Sequence, residues 1–594
     1  MKLIISEKPS QAFAYAKALG VKGKKDGYME NNEFIITWCV GHLITLSDPS
    51  AYDEKYKKWN YDDLPILPPN FKYEISKDKA KQFKVVKWLM NRKDVTEIVN
   101  GCDAGREGEL IFRLVYMQAG CDKPFSRLWI SSMEDSAIRE GMANLKSRSE
   151  YDNLYYSALC RMWADWIVGI NATRLFSLLY RKTLNIGRVQ TPTLAMLTQR
   201  HDQISFFKEE KFYKVNVHIG GATASTERIG DETTANNILS ACRNSSVICK
   251  SVMSEKKSVS VPKLFDLTSL QREANKILGY TAKQTLDYAQ SLYEKKLITY
   301  PRTDSKYLTD DMADTLSVVL HLAAKVPPFD AMPNFYPATE QVINNKKVSD
   351  HHAIIPTKEL EKVNLSELTN GEKSLLLLII CRLLCAVYYP YTYESVTTEF
   401  ECHGHKFTLR GTKIISLGFK EIQQLTTSEK DEDEENDILL SDFKQGQIFN
   451  DYNMDVTEHF TKPPKPHTEA TLLLEMEKAG AKDMSDDVER KGIGTPATRA
   501  AIIEKIVQTG FAERKGKTII PTKNGNVLIS VLPETLTSAD LTSEWENKLS
   551  LITKGELSYT EFMREIKQMI SELVKKYPCI TKEENRIFEN DITR

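Results

Sequence analysis

The first 120 residues alternate short apolar runs with amphipathic ones, and no other feature of this chain constrains its fold as much. Lys2-Leu3-Ile4-Ile5 reads as a buried strand. Pro9 follows where a helix begins, because its missing N–H and fixed φ suit the first helical position. Ala12, Phe13, Tyr15, Ala16 and Leu19 then recur at helical spacing. Val95 to Asn100 reads as a second strand, and Glu107 to Gln118 as a helix with apolar Leu110, Ile111, Leu114 and Val115. Such alternation predicts a parallel sheet covered by helices. In these sheets chemistry gathers beyond the C-terminal ends of the strands. Glu7 and Asp103 each fall just past a predicted strand end.

The rest of the chain is too long for one core. Its 594 residues predict about four units of ~150 residues. Ser157 to Arg200 reads as helical and basic, with Lys/Arg at 161, 174, 181, 182, 188 and 200 against the single acid Asp165. Phe212 to Ile219 alternates with period two, and similar strands return near Ser395–Leu409. Between them Thr268 to Leu297 reads as helix, with capping boxes at Thr268/Gln271 and Thr281/Gln284. A helix from Pro496 to about Gln508 precedes a hairpin near Arg514–Thr522. β segments on both sides of a helical block predict discontinuous domains arranged as an arch or ring. The run Glu429 to Asp437, seven acids and one lysine, reads as a solvated loop.

Charge excludes a globally basic protein: 80 Lys+Arg against 81 Asp+Glu leave a net charge of −1, so nucleic-acid binding has to come from local patches. The ten cysteines form neither a disulfide framework nor a paired CxxC zinc pattern, which predicts a reducing compartment. The N-terminal apolar run is too short for a signal peptide. The stretch Leu375 to Tyr389, broken by Arg382, falls short of the ~20 residues that span a bilayer. The expectation is a soluble cytoplasmic protein with no membrane partner.

Four strings carry chemistry. In Thr299-Tyr300-Pro301-Arg302-Thr303-Asp304-Ser305 the proline extends the backbone at Tyr300. A phenol of pKa ~10 is a poor nucleophile at neutral pH, and Arg302 is placed to stabilise phenolate and clamp a phosphate. A tyrosine packed at a helix end is the plain alternative. Glu7-Lys8 with Asp103, Arg106, Glu107 and Glu109 offers clustered hard oxygens for Mg²⁺ and a proton donor in Lys8. Acids at a helix N-terminus are favoured in any case. Asn185-Ile186-Gly187-Arg188-Val189-Gln190-Thr191-Pro192 suits a sugar-phosphate backbone, or simply a turn before a helix. Asp350-His351-His352-Ala353-Ile354-Ile355-Pro356-Thr357 brings two histidines together.

Three other features lack that weight. Gly516-Lys517-Thr518 is no phosphate loop, because the required first glycine is Phe511. Cys402-His403-Gly404-His405 reads as a hairpin turn, and Cys381 with Cys385 as core.

Taken in order, ISEKPS, GHL, WNYDDLPI, GREGEL, GRVQTP, LFDLTSLQREAN, ITYPRTDS, DHHAIIPT and GIGTPATRAAII resemble the type IA DNA topoisomerases, and within them the topoisomerase III group, from Met1 to about residue 555. The resemblance implies an α/β multidomain fold: a Rossmann-like Toprim domain, two helical winged-helix-like domains and a β-rich arch, closed into a toroid. It places Toprim at 1–150, a helical DNA-binding domain at 151–210 and 465–594, the arch at 211–265 and 396–464, and the domain carrying the nucleophile at 266–395. By the same resemblance Tyr300 is the nucleophile and Arg302 its DNA-contacting partner. Lys8 assists cleavage and His351 lies near the scissile phosphate. Glu7, Asp103 and Glu107 bind Mg²⁺, while Trp59, Trp166, Arg174 and Asn185, Ile186, Gly187, Arg188, Val189 and Gln190 contact DNA.

The implied activity is ATP-independent. One strand is cleaved through a 5′-phosphotyrosyl link, another is passed, and the break is resealed, which relaxes negative supercoils and decatenates. The implied setting is a monomer on single-stranded or negatively supercoiled DNA, associated with a bacterial nucleoid or plasmid, with a helicase or single-strand-binding protein as a partner. The sequence departs from the family's DxDxE acids at Gly105, and the zinc ribbons many relatives carry at the C-terminus have no counterpart here. The rival readings are another Toprim enzyme, a primase or nuclease, and a single-strand binder that does not cut.

Overall fold

Lys2–Ser6 sits at the centre of a seven-stranded sheet, parallel to Phe34–Trp38 on one side and to Glu97–Gly101 on the other. The full order is Gly23–Lys25, Tyr28–Glu30, Phe34–Trp38, Lys2–Ser6, Glu97–Gly101, Phe125–Arg127 and Lys146–Ser147. In a computed structural model of the protein, residues 1–130, 133, 135–332, 337–348, 351–426, 443–480 and 492–578 are described. The expected acidic loop at 429–437, together with Asp350, lies outside them. Successive residues of the central strand point to opposite faces. Ile4 joins a core with Ala12, Tyr15 and Ala16 of helix Pro9–Ala18. Leu3 and Ile5 join one with Phe83, Val86, Leu110 and Leu114, from helices Ala80–Met90 and Arg106–Ala119. Both faces are therefore covered, as a parallel sheet requires.

The expected second strand starts two residues late, at Glu97, because Val95 N–H still closes a turn on Arg92 O and Thr96 N–H bonds Met1 O. The register sets Ser6 beside Gly101, so Glu7 and Asp103 leave the sheet at the same edge.

Three more cores make up the rest. One gathers Leu264 to Ile422, around helices Leu267–Leu278, Ala282–Glu294, Ala313–Ala323 and Asn370–Ala386. Another joins Cys160–Leu197 to Leu472–Val574 across the intervening chain. It takes in helices Asp152–Tyr180, Gln190–Ser205, Pro496–Gln508, Asp540–Lys554 and Tyr559–Lys576 and the hairpin Ala512–Lys515/Thr518–Pro521. The last lines a seven-stranded antiparallel sheet of order Ile448–Phe449, Val247–Val259, Tyr391–Cys402, His405–Ser416, Ala222–Ser225, Lys211–Ile219 and Asn453–Phe460.

Two predicted helical blocks prove to be pairs of helices. Residues 157–200 break after Arg181, which adopts φ 50°, and 268–297 break at Gly279, φ 70°, a left-handed cap that glycine adopts freely. The first predicted capping box is displaced: Asp266, not Thr268, is the N-cap, accepting from Ser269 N–H at 2.7 Å, while Thr268 is buried in the first turn. The Thr281/Gln284 box is present. Residues 402–405 form a hairpin turn, with His403 and Gly404 both at positive φ.

Candidate active site

Two neighbouring strand ends and one helix start create the cluster. Lys8 caps helix Pro9–Ala18 in an extended conformation, and its N–H donates to Gln11 Oε1 at 3.2 Å. Its ammonium donates to Asp103 Oδ2 at 2.6 Å and lies 3.0 Å from Glu7 Oε1. The same nitrogen stands 4.3 Å from the centroid of the Tyr300 ring. The loop bearing Asp103 is held by the fully buried Arg127, which donates to the carbonyls of Asn100 (3.0 Å), Cys102 (2.8 Å) and Asp103 (2.5 Å). Gly108 permits the following helix to start there: a Cβ on it would come within 2.2 Å of the Asp103 carbonyl oxygen.

Tyr300 comes from a different core. Thr299 bonds Ala353 O through Oγ1 (2.9 Å) and Ile355 O through N–H (2.9 Å), and Thr303 Oγ1 donates to His351 O at 2.8 Å. The tyrosine and histidine strings, about fifty residues apart, are thereby stitched together. The His351 ring lies 4.5 Å from the Tyr300 ring, with Nε2 3.5 Å from Asp103 Oδ2. Arg302 is exposed, and no hydrogen bond or ion pair engages it among the described residues.

The four groups shift one another's protonation. Burial and the adjacent Asp103 push Glu7 above the ordinary carboxylate range. Burial would raise Asp103 too, but Lys8 and His351 more than offset it and hold it well below. Burial disfavours the Lys8 charge, yet Asp103, Glu7 and Tyr300 together keep it firmly protonated. Burial pushes the Tyr300 phenol up against the pull of Lys8. Phenol, ammonium and carboxylate pair are thus assembled with the phenol still protonated.

Not every expected residue joins this cluster. Glu107 turns toward His42 (3.4 Å) and Arg161 (3.7 Å). Enclosure there works to raise it, but these partners bring it down to about 2. Its side chain keeps 41% of its surface open, so solvent screens these pairs. Among the described residues no three His, Cys, Asp or Glu side chains converge as a metal cage. Glu109 is core: it is fully buried and bound by Arg113 (2.7 Å) and Asn100 (2.9 Å).

Arg188 is likewise buried. It pairs with Asp165 (2.8 Å) and Glu546 (3.5 Å) and lies 4.9 Å from the Trp545 ring centroid. Glu546 also takes Arg106 at 2.7 Å and Arg161 at 3.8 Å. Within the same turn Ile186 N–H bonds Thr173 Oγ1 (3.1 Å), Gly187 N–H bonds Thr191 Oγ1 (3.1 Å) and Gln190 reaches Asn185 O (3.4 Å). Val189 is half-buried. Arg174 donates to Tyr56 O at 2.9 Å and lies over the exposed Trp59 (5.4 Å), while Trp166 packs on Tyr52 (5.7 Å) and Phe71 (5.9 Å). Sequence reading missed Gln11, Arg127 and Glu546. For Gln11 a signal existed, a glutamine at the third position of a helix opened by Pro9.

The tyrosine-bearing body meets the rest at a second place. Ala282 N–H donates to Glu469 Oε2 (2.7 Å), Ala470 N–H to Asn275 Oδ1 (3.1 Å) and Arg499 Nη1 to Thr268 Oγ1 (3.0 Å). Glu469, Asn275 and Arg499 each also have a partner on their own side. Glu469 accepts from Arg514 (2.7 Å), Asn275 donates to Tyr280 O (2.9 Å) and Arg499 donates to Ile493 O (3.1 Å).

A tyrosine set against a cluster of acids and a lysine at the C-terminal edge of a parallel sheet is the arrangement of a type IA DNA topoisomerase. Family models agree: Toprim domain matches residues 2–133 and DNA topoisomerase matches residues 149–564. The chain belongs to the type IA DNA topoisomerases. It is 38% identical to DNA topoisomerase 3 of Bacillus licheniformis over 99% of this chain and 83% of that protein. It is 40% identical to DNA topoisomerase 3 of Bacillus cereus over 97% of this chain and 81% of that one. The solved full-length topoisomerase I of Thermotoga maritima shares its fold, with a TM-score of 0.70 at 24% identity, covering 96% of this chain and 90% of that one. No helix among the described residues is long and apolar enough to cross a membrane.

Proposed function

We propose that Tyr300 is the nucleophile of a reversible single-strand break in DNA. The observation that carries this is the Lys8 ammonium, hydrogen-bonded to Asp103 and at the same time 4.3 Å from the Tyr300 ring centroid, joining two bodies at one point. In the proposed step the Tyr300 oxygen attacks phosphorus and the bond from phosphorus to the 3′ oxygen breaks. Lys8 gives that oxygen a proton, and the phenol's proton passes through the Glu7/Asp103 pair back to Lys8. The product is a 5′-phosphotyrosyl link and a free 3′-hydroxyl. Resealing is the reverse and needs no nucleotide, since the phosphoester energy is kept. Arg302, exposed and without a partner among the described residues, is the clamp for the phosphate, and His351 flanks it.

Glu7 and Asp103 would hold Mg²⁺. They fit it: two hard carboxylates already face one cation, the Lys8 ammonium, at 3.0 and 2.6 Å. Mg²⁺ keeps most of its waters and accepts few protein ligands. Bound, it supplies positive charge beside the phosphate. Glu107, paired with His42 and Arg161, belongs to the rim of this site.

We place the DNA gate at the seam between residues 266–395 and the body built from 151–210 and 465–578. The arch of 211–265 and 396–464 links them as a hinge. Cross-seam bonds made by Glu469, Asn275 and Arg499, each already partnered on its own side, suit repeated opening, because separation leaves no charged group bare. The exposed Trp59, with Trp166 and Arg174, offers stacking and charge for single-stranded DNA, and the turn at 185–190 offers its backbone and amide groups beside them. Relaxation of negative supercoils and decatenation follow from strand passage at this gate. The test is to trap the adduct on a single-stranded oligonucleotide and map the modified peptide. Wild type should carry DNA on Tyr300, and Tyr300→Phe should bind DNA but form no adduct. An adduct on another residue, or cutting by Tyr300→Phe, would overturn the assignment.

A further inference from the structure

We infer that Gln11 is a positioning residue that fixes which oxygen of Asp103 faces the reaction. The inference rests on the reading of the Tyr300 site above. Gln11 is 4% exposed, on the first turn of helix Pro9–Ala18. Its two amide atoms have different duties. Oε1 accepts the Lys8 N–H, and that bond settles the orientation of the amide, since an NH₂ group in its place would meet another donor. Nε2 is therefore turned to Asp103 and donates to Oδ1. With Oδ1 occupied, Oδ2 is the oxygen presented to Lys8 at 2.6 Å and to His351 at 3.5 Å. One buried side chain so ties the end of strand Lys2–Ser6 to the loop after Glu97–Gly101. A carboxylate free to turn about its last torsion would exchange its oxygens, and Lys8 would lose its fixed partner beside Tyr300.

Two substitutions separate this role from simple helix capping. Gln11→Glu keeps an oxygen acceptor for the Lys8 N–H, and glutamate is a favoured residue at this capping position, but ionised it cannot donate to Asp103. Gln11→Ala removes both bonds. Full-length wild type and both variants are compared by single-turnover cleavage of an end-labelled single-stranded oligonucleotide, by its dissociation constant, and by thermal unfolding. Positioning predicts that Gln11→Glu, whose buried carboxylate against Asp103 lowers the unfolding temperature, still binds DNA like wild type when folded yet cleaves roughly ten- to hundred-fold more slowly, the scale of one lost charge-assisted hydrogen bond. Gln11→Ala should be at least as slow. If Gln11→Glu cleaves at the wild-type rate while Gln11→Ala is less stable, Gln11 is only a cap and the inference fails. Failure of wild type itself to form an adduct on Tyr300 would instead sink the reading on which this one rests.

Discussion

Replacing Glu546 by glutamine removes one buried negative charge from the meeting point of three arginines. The residue is 5% exposed, on helix Asp540–Lys554, with Arg106 at 2.7 Å, Arg188 at 3.5 Å and Arg161 at 3.8 Å. Burial alone would raise its pKa, but the three guanidinium groups bring it from an ordinary 4.5 to about 2. A difference of roughly 2.5 units at ~1.36 kcal/mol each corresponds to about 3 kcal/mol of stability held by the ionised form. Breaking one partner of a buried ion pair costs about 3–5 kcal/mol in general, so the two magnitudes agree. The sign follows from the depressed folded value: the contribution is complete above the unfolded pKa near 4.5 and is lost as pH falls through about 2.

Hydrogen exchange of the amides in Asp540–Lys554 is the assay suited to a chain with several cores. At neutral pH Glu546→Gln should speed exchange through the opening of this unit by roughly a hundredfold, the equivalent of about 3 kcal/mol. The gap between mutant and wild type should narrow once pH falls below about 4. Identical protection in both proteins at neutral pH would refute the reasoning, since the three arginines would then not depend on this carboxylate.

Arg302→Lys should leave folding unchanged, because Arg302 is exposed and has no partner among the described residues, but should slow oligonucleotide cleavage roughly ten- to hundred-fold through loss of the planar fork. Wild-type relaxation by this variant would remove the clamp. Gly105 has φ −168° and ψ 174°, an extended backbone open to any residue, so Gly105→Asp should fold and lower the Mg²⁺ concentration for half-maximal relaxation. Asp103→Asn should nearly stop turnover, and an unchanged Mg²⁺ midpoint and rate in that variant would move the metal elsewhere. Thr268→Val removes the acceptor of Arg499 at the seam and weakens the closed state by ~1.5–3 kcal/mol. Decatenation should accelerate while cleavage of single strands stays constant, and unchanged decatenation would mean that gate opening is not limited by this contact.

Much of the site was legible because its pieces are local. Pro9 after an apolar run announced a helix start, and the switch from apolar strand to acid put Glu7 and Asp103 at strand ends. The ordered strings from ISEKPS to GIGTPATRAAII identified the family. Boundaries were less visible where a single left-handed residue decides them. Arg181 and Gly279 each split a run whose periodicity continues through the break.

What the sequence by itself determined was the alternating sheet, the helical blocks, the hairpin at 402–405 and which residue types carry chemistry, since propensity, periodicity and turn residues act over a few positions. Only the tertiary structure decided which of those residues meet. Glu109 and Glu107, two positions apart on one helix, point in different directions: one into a buried pair with Arg113, the other to His42 and Arg161 at the rim. Arg188, read as a DNA contact, is buried against Asp165 and Glu546, the latter 358 residues away in sequence. Pairings of that kind depend on how separate cores dock, and docking follows from the shape and charge of whole surfaces, which no local pattern in the chain records.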